Sequence, residues 1–259
     1  MQYDNHKNAV NILKEIDKNK SHYLIIHYSC ESFYGINDGH TPRITSIAVY
    51  NYDSAQTESF SLHKIAEKNH VKIENIEEKY DKLERLMLNE FFEFVKEHKE
   101  YIWIHWNMRD INYGFKAIEH RYSVLGGTSY KIDDSKKIDL SRLFIQYYGV
   151  NYIGHPRMEK LLERNGIKAK DYLSGKEEAI AFENKEYIKL HMSTLRKVDV
   201  FANLLNRAIN NSLKTASKWY EIYGLSPQGI FNYCNEKWWI QLLSYIATLV
   251  FGGVVGKLF

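Results

Sequence analysis

The stretch "YLIIHYSCE" at residues 23 to 31 decides the fold of this chain. Its first four residues are β-formers without an interruption, which predicts a buried strand. Glu31 follows at the point where that strand should end. The stretch "YIWIHWNMRD" at residues 101 to 110 repeats the arrangement, because an apolar strand is followed by a polar turn and Asp110. The acids that follow these two strands are therefore the first candidates for functional residues.

Further strands and helices are predicted along the rest of the chain. Residues 73 to 100 carry apolar side chains at helical spacing, which predicts a helix that leads into the strand at residues 101 to 105. A turn-rich segment at residues 35 to 43 follows the first strand. The remaining predicted elements are strands at 44–52 and 55–62 and helices at 112–124, 139–148, 156–165 and 177–211, the last with a break near residue 184. The pattern predicts an α/β fold in which helices pack against a sheet.

Length and composition restrict the class of protein. With 259 residues, the chain can form one main domain with further segments at either end. Its formal net charge of +3 is too small to indicate nucleic-acid binding by charge alone. Cys30 and Cys234 are far apart, and no paired spacing predicts a zinc site. Val10, Leu13 and Ile16 predict an N-terminal helix instead of a secretion signal, so we expect a reduced, cytosolic body.

The C-terminal segment differs from the rest of the chain. Residues 238 to 256 contain no charged side chain and lie between Lys237 and Lys257. Nineteen helical residues cover about 28 Å, which is close to the thickness of the hydrocarbon core of a bilayer. Trp238 and Trp239 stand where an interfacial aromatic belt belongs. We therefore expect a single-pass membrane anchor with the body of the chain in the cytoplasm, the alternative being a helix buried against the domain.

Two glycines in this segment indicate self-association. Gly252 and Gly256 form a G-x-x-x-G pair, a spacing that lets two membrane helices approach closely. The polar side chains of the segment recur at three- and four-residue spacing, so they share one face of the predicted helix. The pattern predicts a homo-oligomer that forms through Gly252 and Gly256.

Three segments that contain acids follow one another in an order found in a known family. They are "SCE" ending in Glu31, "HWNMRD" ending in Asp110, and the helix "STLRKVDVFANLLNRA" at residues 193 to 208, which contains Asp199. In this order and at these separations they resemble the DEDD family of 3′–5′ exonucleases. In that family the first strand carries Asp-x-Glu, and the final helix carries the last Asp. Residues 136 to 167 also resemble the linking region of that family.

The resemblance implies a fold, an activity and a division of the chain. The implied fold is an α/β ribonuclease H-like mixed sheet flanked by helices, and the implied activity is hydrolysis at the ends of single-stranded DNA or RNA. The resemblance covers about residues 22 to 216. Together with the patterns at the two ends, it gives an N-terminal helix at 1–21, an exonuclease-like domain at 22–216, a linker at 217–236 and the transmembrane anchor at 237–259.

The resemblance also implies a metal site. Glu31, Asp110 and Asp199 would be catalytic and would hold two Mg²⁺ or Mn²⁺ ions, because phosphodiester hydrolysis by two metals requires hard oxygen ligands. His191 is a further catalytic candidate, since it precedes Asp199 by about two helical turns. Each acid also has a structural alternative. Glu31 could be solvated, and Asp110 could cap the following helix. Asp199 could pair with Arg196 or Lys197, of which only Arg196 has the i,i+3 spacing.

The chain departs from the family pattern at two places. Ser29 stands where Asp-x-Glu has its Asp, so one anionic ligand is missing and metal binding should be weakened. Thr194 and Leu195 stand where the family carries a general base. These departures leave open whether the chain is an active enzyme.

Residues near the implied site are candidates for nucleic-acid binding. The aromatic side chains of Phe33, Tyr34 and Trp106 could stack on the bases of a single strand. Asn107 lies in the motif "HWNMRD" and is a further candidate for contacting the nucleic acid.

Two functions are compatible with these observations. The first is a membrane-tethered, metal-dependent 3′–5′ exonuclease that acts on nucleic-acid ends. The second is a catalytically degenerate exonuclease fold that senses a nucleic acid or a partner and uses its membrane helix as an effector, as a bacterial antiviral defence protein would. Ser29 favours the second function, and the three acids favour the first.

Overall fold

The computed structural model describes residues 2 to 32 and 41 to 255, and within them five strands form one sheet. The strands are β1 (Tyr23–Cys30), β2 (Ile44–Asn51), β3 (Thr57–Ser61), β4 (Ile102–His105) and β5 (Lys137–Asp139). Their order in the sheet is β3-β2-β1-β4-β5. β2 is antiparallel to β1 and β3, whereas β4 is parallel to both β1 and β5. The predicted α/β class is therefore confirmed, with a mixed sheet.

Helices cover this sheet on both faces. They are α1 (Gln2–Lys18), α2 (Leu62–Lys68), α3 (Tyr80–Glu97), α4 (Phe115–Val124), α5 (Leu140–Tyr148), α6 (Arg157–Arg164), α7 (Gly175–Glu183), α8 (Tyr187–Ile209), α9 (Trp219–Tyr223), α10 (Pro227–Glu236) and α11 (Trp238–Val255). The predicted break near residue 184 is confirmed, because it separates α7 from α8. The sequence patterns did not predict α2, α9 or α10.

β1 lies at the centre of the sheet and is buried on both of its faces. Leu24, Ile26 and Tyr28 belong to a core that includes side chains of α3 and α4. Tyr23 and Ile25 belong to the other core, which includes side chains of α1, α5 and α8. Burying an apolar side chain of this size contributes about 1.5–3 kcal/mol to folding, so this strand organises both cores.

Helix α8 crosses one face of the sheet antiparallel to β1. Thr194 Oγ1 lies 2.7 Å from Ser46 Oγ, opposite the C-terminal end of β1. Toward the other end of the helix, the Tyr52 hydroxyl donates to Asn206 Oδ1 at 2.7 Å. The position of a residue along α8 therefore determines which end of β1 it can reach.

Residues assigned to the predicted linker form α9 and α10, which contact α1 and each other. Glu236, at the end of α10, accepts hydrogen bonds from the hydroxyls of Tyr3 (3.0 Å) and Tyr223 (2.6 Å). These bonds connect the N-terminal helix to the segment that precedes α11.

A single continuous helix, α11, occupies the position of the predicted anchor. In the part of the chain that the structure describes, no helix is long and apolar enough to cross a membrane, so the predicted transmembrane helix is not supported. Gly256, one of the two glycines of the predicted oligomer contact, lies outside the described residues.

Candidate functional site

A cavity of about 720 Å³ opens at the C-terminal end of β1. Its walls are residues 27, 28 and 30 to 32, residue 113 of the loop that follows β4, residues 156 and 159, residues 174 to 176, 178 and 179 at the start of α7, and Lys197 of α8. Apolar surface predominates in these walls. This end cavity, as we call it, has a volume in the range of small-molecule sites.

Glu31 lies in the wall of the end cavity, where the strand-end prediction placed it. Its Oε2 accepts hydrogen bonds from Arg43 Nε and from the Arg43 backbone N–H, both at 3.3 Å. Arg43 also pairs with Glu77, at 2.7 Å between Nη1 and Oε1. The Glu31 side chain is only 17% exposed, so its carboxylate faces a protein cation in a largely buried position.

A buried ion pair joins α7 to α8 at the same cavity. Lys197 Nζ lies 2.7 Å from Glu178 Oε2, and the two side chains are 8% and 14% exposed. The other oxygen of Glu178 accepts a hydrogen bond from Ser193 Oγ at 3.0 Å, and that hydroxyl accepts from the Leu173 backbone N–H at 3.2 Å. Both oxygens of the carboxylate are therefore used within the protein.

His27 contributes a buried imidazole to the end cavity. The Tyr113 hydroxyl donates to the Tyr28 carbonyl at 3.2 Å, so its oxygen can accept from His27 Nδ1 at 3.3 Å. Nε2 then carries a lone pair, and it has no hydrogen-bond partner among the described residues. Burial, with a smaller contribution from Lys197, lowers the pKa of His27 well below its usual value and keeps the ring neutral.

Asp110 lies in the loop between β4 and α4 and forms a local turn. Its Oδ1 accepts from the Asn112 backbone N–H at 2.8 Å, and its own N–H donates to the Tyr113 carbonyl at 3.1 Å. The side chain is exposed, and helix α4 begins only at Phe115. The acid that was predicted to bind metal is therefore placed as a turn residue, five positions before the helix that it could have capped.

Asp199 and His191 lie outside the end cavity. Asp199 is exposed and pairs with Arg196 at 3.4 Å, which is the structural alternative that the sequence suggested. His191 is buried against His63, with ring centroids 4.9 Å apart, and its Nε2 lies 3.0 Å from Ser59 Oγ of β3. Because β2 separates β3 from β1, His191 cannot serve a site at the end of β1.

The residues predicted to contact nucleic acid lie in different surroundings. Trp106 is half-buried and packs against Phe144 and Phe201 beneath α8, so one face of its ring is used within the protein. Asn107 is exposed, and its Oδ1 accepts from Arg109 at 3.2 Å. The predictions for Phe33 and Tyr34 lie outside the described residues.

The described residues do not form the predicted metal site. Within residues 2–32 and 41–255, no group of three or more His, Cys, Asp or Glu side chains could hold a metal ion, so the predicted cluster of Glu31, Asp110 and Asp199 is not formed. In the end cavity, Glu31 faces Arg43 and Glu178 faces Lys197. Carboxylates that are already paired with protein cations are poor ligands for Mg²⁺ or Mn²⁺, which need several anionic or neutral oxygens at once.

Comparison with protein families gives one match. The model of the exonuclease domain of family B DNA polymerases matches residues 10–168, which is more than half of the chain. The chain belongs to this family. The resemblance to exonucleases of the ribonuclease H-like superfamily is thereby confirmed. Exonuclease domains of this kind typically depend on divalent metals. The matched residues end before α7 and α8, which carry Glu178 and Lys197. Comparison with curated proteins finds no match.

The sequence analysis missed the two residues that form the ion pair, although a signal for Lys197 was present. The apolar positions of α8 define a buried face, and Lys197 lies next to it, whereas Asp199 lies on the opposite side. The search for metal-binding acids considered Lys197 only as a possible partner of Asp199. Glu178 had no comparable signal, because its place depends on how α7 packs against α8.

The ion pair can be tested by substituting each partner. Lys197→Met should lower the free energy of unfolding by about 3 kcal/mol, because it leaves the Glu178 carboxylate buried without its cation. The double variant Lys197→Met, Glu178→Gln should recover most of this loss. Urea denaturation of both variants, of Glu178→Gln and of wild type measures the coupling. A loss in the double variant equal to the sum of the two single losses would show that the pair is not coupled.

The free energy of unfolding should decrease as the pH is lowered, because His191 is buried in its neutral form. Burial lowers its pKa to about 3, against about 6.5 in the unfolded chain, so its contribution is complete above pH 6.5 and is lost as the pH falls toward 3. This histidine should account for a loss of about 2 kcal/mol between pH 7.5 and pH 5. His191→Gln should reduce that loss, whereas the same change at the exposed His120 should not. Denaturation curves at both pH values would contradict the assignment if wild type and His191→Gln lost equal stability.

Proposed function

We propose that this member of the exonuclease family binds the terminal nucleotide of single-stranded DNA or RNA in its end cavity without hydrolysing it. Membership of an exonuclease family supports a nucleic-acid end as the ligand. The buried ion pair between Lys197 and Glu178 is the observation that carries the non-catalytic part of the proposal.

The argument against hydrolysis rests on the donors in the cavity. Two-metal hydrolysis needs carboxylate oxygens that are free to bind both ions. Here Lys197 forms an ion pair with the Glu178 carboxylate, and Arg43 forms one with Glu31. Ser29 has a buried neutral hydroxyl at the position where the family has an acid. The positive charge at this site is therefore supplied by a side chain.

The cavity can still recognise a nucleoside. Its walls include the rings of Tyr28 and Tyr113, which stack on each other at 4.7 Å, and the small side chain of Ala179. His27 Nε2 can accept a hydrogen bond from a sugar hydroxyl or a base N–H group. A ligand that supplies this donor would satisfy a buried polar atom that the described protein leaves unpaired, which favours binding.

A second candidate function is metal-dependent 3′–5′ exonuclease activity with Mg²⁺ or Mn²⁺. The family match favours it, and Glu31 stands at the end of β1 as that activity would require. For this function the ion pairs of the end cavity would have to rearrange when a metal binds.

Binding and cleavage can be measured on the same labelled oligonucleotides. In EDTA, fluorescence anisotropy should show binding by wild type, and Ala179→Trp should weaken it about tenfold by filling the cavity in which a base is stacked. Ile180→Trp is the matched control, because the next residue of α7 is 55% exposed and does not line the cavity.

Two results would overturn the proposal. Shortening of the oligonucleotide in Mn²⁺ that is lost in Glu31→Gln would establish the exonuclease instead. An absence of binding with and without metal would remove nucleic-acid ends as the ligand.

Membrane attachment through residues 237–259, with the body in the cytoplasm, stays a prediction from the sequence. The proposed self-association through Gly252 and Gly256 and the proposed role in antiviral defence both depend on it. The full chain should remain with membranes after alkaline carbonate extraction, because an apolar helix is held by burial and not by charge. A chain that ends at residue 236 should be released. Release of the full chain as well would contradict the prediction.

A further inference from the structure

A second cavity, of about 440 Å³, opens beyond the C-terminal ends of β4 and β5. The loop between β4 and α4 borders both cavities, since Met108 and Arg109 line this one and Tyr113 lines the end cavity. We call it the basic cavity, because four cationic side chains line it: Arg109, Lys116, Lys137 and Arg142.

The two carboxylates in the basic cavity are occupied by protein partners. Asp139 Oδ1 accepts from the backbone N–H groups of Asn107 (3.2 Å) and Ser141 (3.0 Å), and its Oδ2 lies 2.8 Å from Arg109 Nη1. Asp134 also forms an ion pair, because its Oδ1 lies 2.7 Å from Lys137 Nζ.

Two of the four cationic side chains of the cavity take no part in these ion pairs. Lys116 and Arg142 form no ion pair with another residue that the structure describes. Both side chains are exposed at the cavity, which therefore carries two net positive charges. Such a concentration of one sign of charge in a concave surface attracts an anion.

A buried imidazole in the wall of the basic cavity supplies a directed donor. His105 is 3% exposed, and its Nδ1 accepts a hydrogen bond from the Met108 backbone N–H at 3.1 Å. In the neutral ring this fixes the hydrogen on Nε2. No described residue accepts a hydrogen bond from that nitrogen. An anion in the cavity would provide the acceptor.

The titration of His105 reports the charge of its surroundings. Its pKa is lowered to about 4, first by burial. Asp139 acts in the opposite direction, but Arg109, Lys137 and Arg142 each lower the pKa further. The cations are therefore close enough to the ring to act on it, and an anion bound among them should raise the pKa of His105.

We infer that the basic cavity is a binding site for a phosphate group, held by Lys116, Arg142 and the Nε2–H of His105. The guanidinium of Arg142 offers paired donors that match phosphate oxygens, and Lys116 adds a mobile point charge. The phosphate can come from a nucleic-acid backbone or from a free phosphorylated compound, since the chemistry of recognition is the same. This site does not depend on what the end cavity binds.

Calorimetry with inorganic pyrophosphate tests the site on the full chain. Lys116→Gln and Arg142→Gln should each weaken binding about tenfold, because each removes one charge-assisted contact. Lys96→Gln is the matched control, since Lys96 is exposed on α3 and does not line the basic cavity. Loss of affinity in the control equal to that in the two variants would show diffuse attraction and would overturn the proposal.

Nuclear magnetic resonance of the histidine rings gives a second readout that needs no substitution. Saturating pyrophosphate should shift the His105 resonances and raise the pKa of His105, while exposed His70, which follows α2 beside the opposite outer strand β3, should not respond. Unchanged His105 resonances at saturation would overturn the proposal even if heat were released.

Oligonucleotide binding distinguishes the two sources of phosphate. If the site holds a nucleic-acid backbone, Lys116→Gln should weaken oligonucleotide binding and reduce its salt dependence by about one phosphate contact. If the ligand is a free phosphorylated compound, the same variant should lose pyrophosphate and bind oligonucleotides as wild type does. Ala179→Trp, which fills the end cavity, should bind pyrophosphate normally in either case, so failure of the proposed function would not affect this result.

Discussion

The burial of β1 on both faces is the constraint on which the rest of the structure depends. Because successive side chains of a strand point to opposite faces, each residue of β1 is committed to one core or the other. His27 consequently faces α8, where it meets the edge of Phe201, while Tyr28 faces the opposite core and accepts a hydrogen bond from the Gly114 N–H at 2.9 Å. A Cβ atom at position 114 would lie 2.6 Å from the backbone of Met108, so the loop can close on β1 only with glycine there. The end cavity forms where these two constraints meet.

Helix periodicity explains why Lys197, and not Asp199, reaches this cavity. The face of α8 that packs on the sheet is centred on Thr194, Val198 and Phe201. At 3.6 residues per turn, Lys197 lies about 60° from the centre of this face and Asp199 about 140° from it. An acid at position 199 is thus directed toward solvent. The same period was visible in the sequence, but motif spacing alone does not state which face of a helix a residue occupies.

Periodic features were predicted well, and features that depend on packing between distant segments were not. The apolar run of β1 and the long helical pattern interrupted near residue 184 are local signals, and the structure has both. Glu31 was correctly placed at a strand end, but its pairing with Arg43 depends on the antiparallel partner strand that begins one residue later. Asp110 follows its strand as predicted, yet the loop folds back toward β1 and turns its carboxylate onto a neighbouring N–H group. Motif order therefore identified the family and left the geometry of the site undetermined.

The two edge strands of the sheet affect how copies of this protein can associate. β5 has three residues and β3 has five, so both outer strands offer few unpaired backbone groups to a neighbouring chain. Short outer strands limit the pairing of one sheet with another, which is a common route to aggregation. Lys137 places a charge on the edge strand β5, and a charge on an edge strand opposes its pairing with an identical strand. Association between copies through a continuous intermolecular sheet is thereby disfavoured, and the helical surfaces are left as the places where one copy can recognise another.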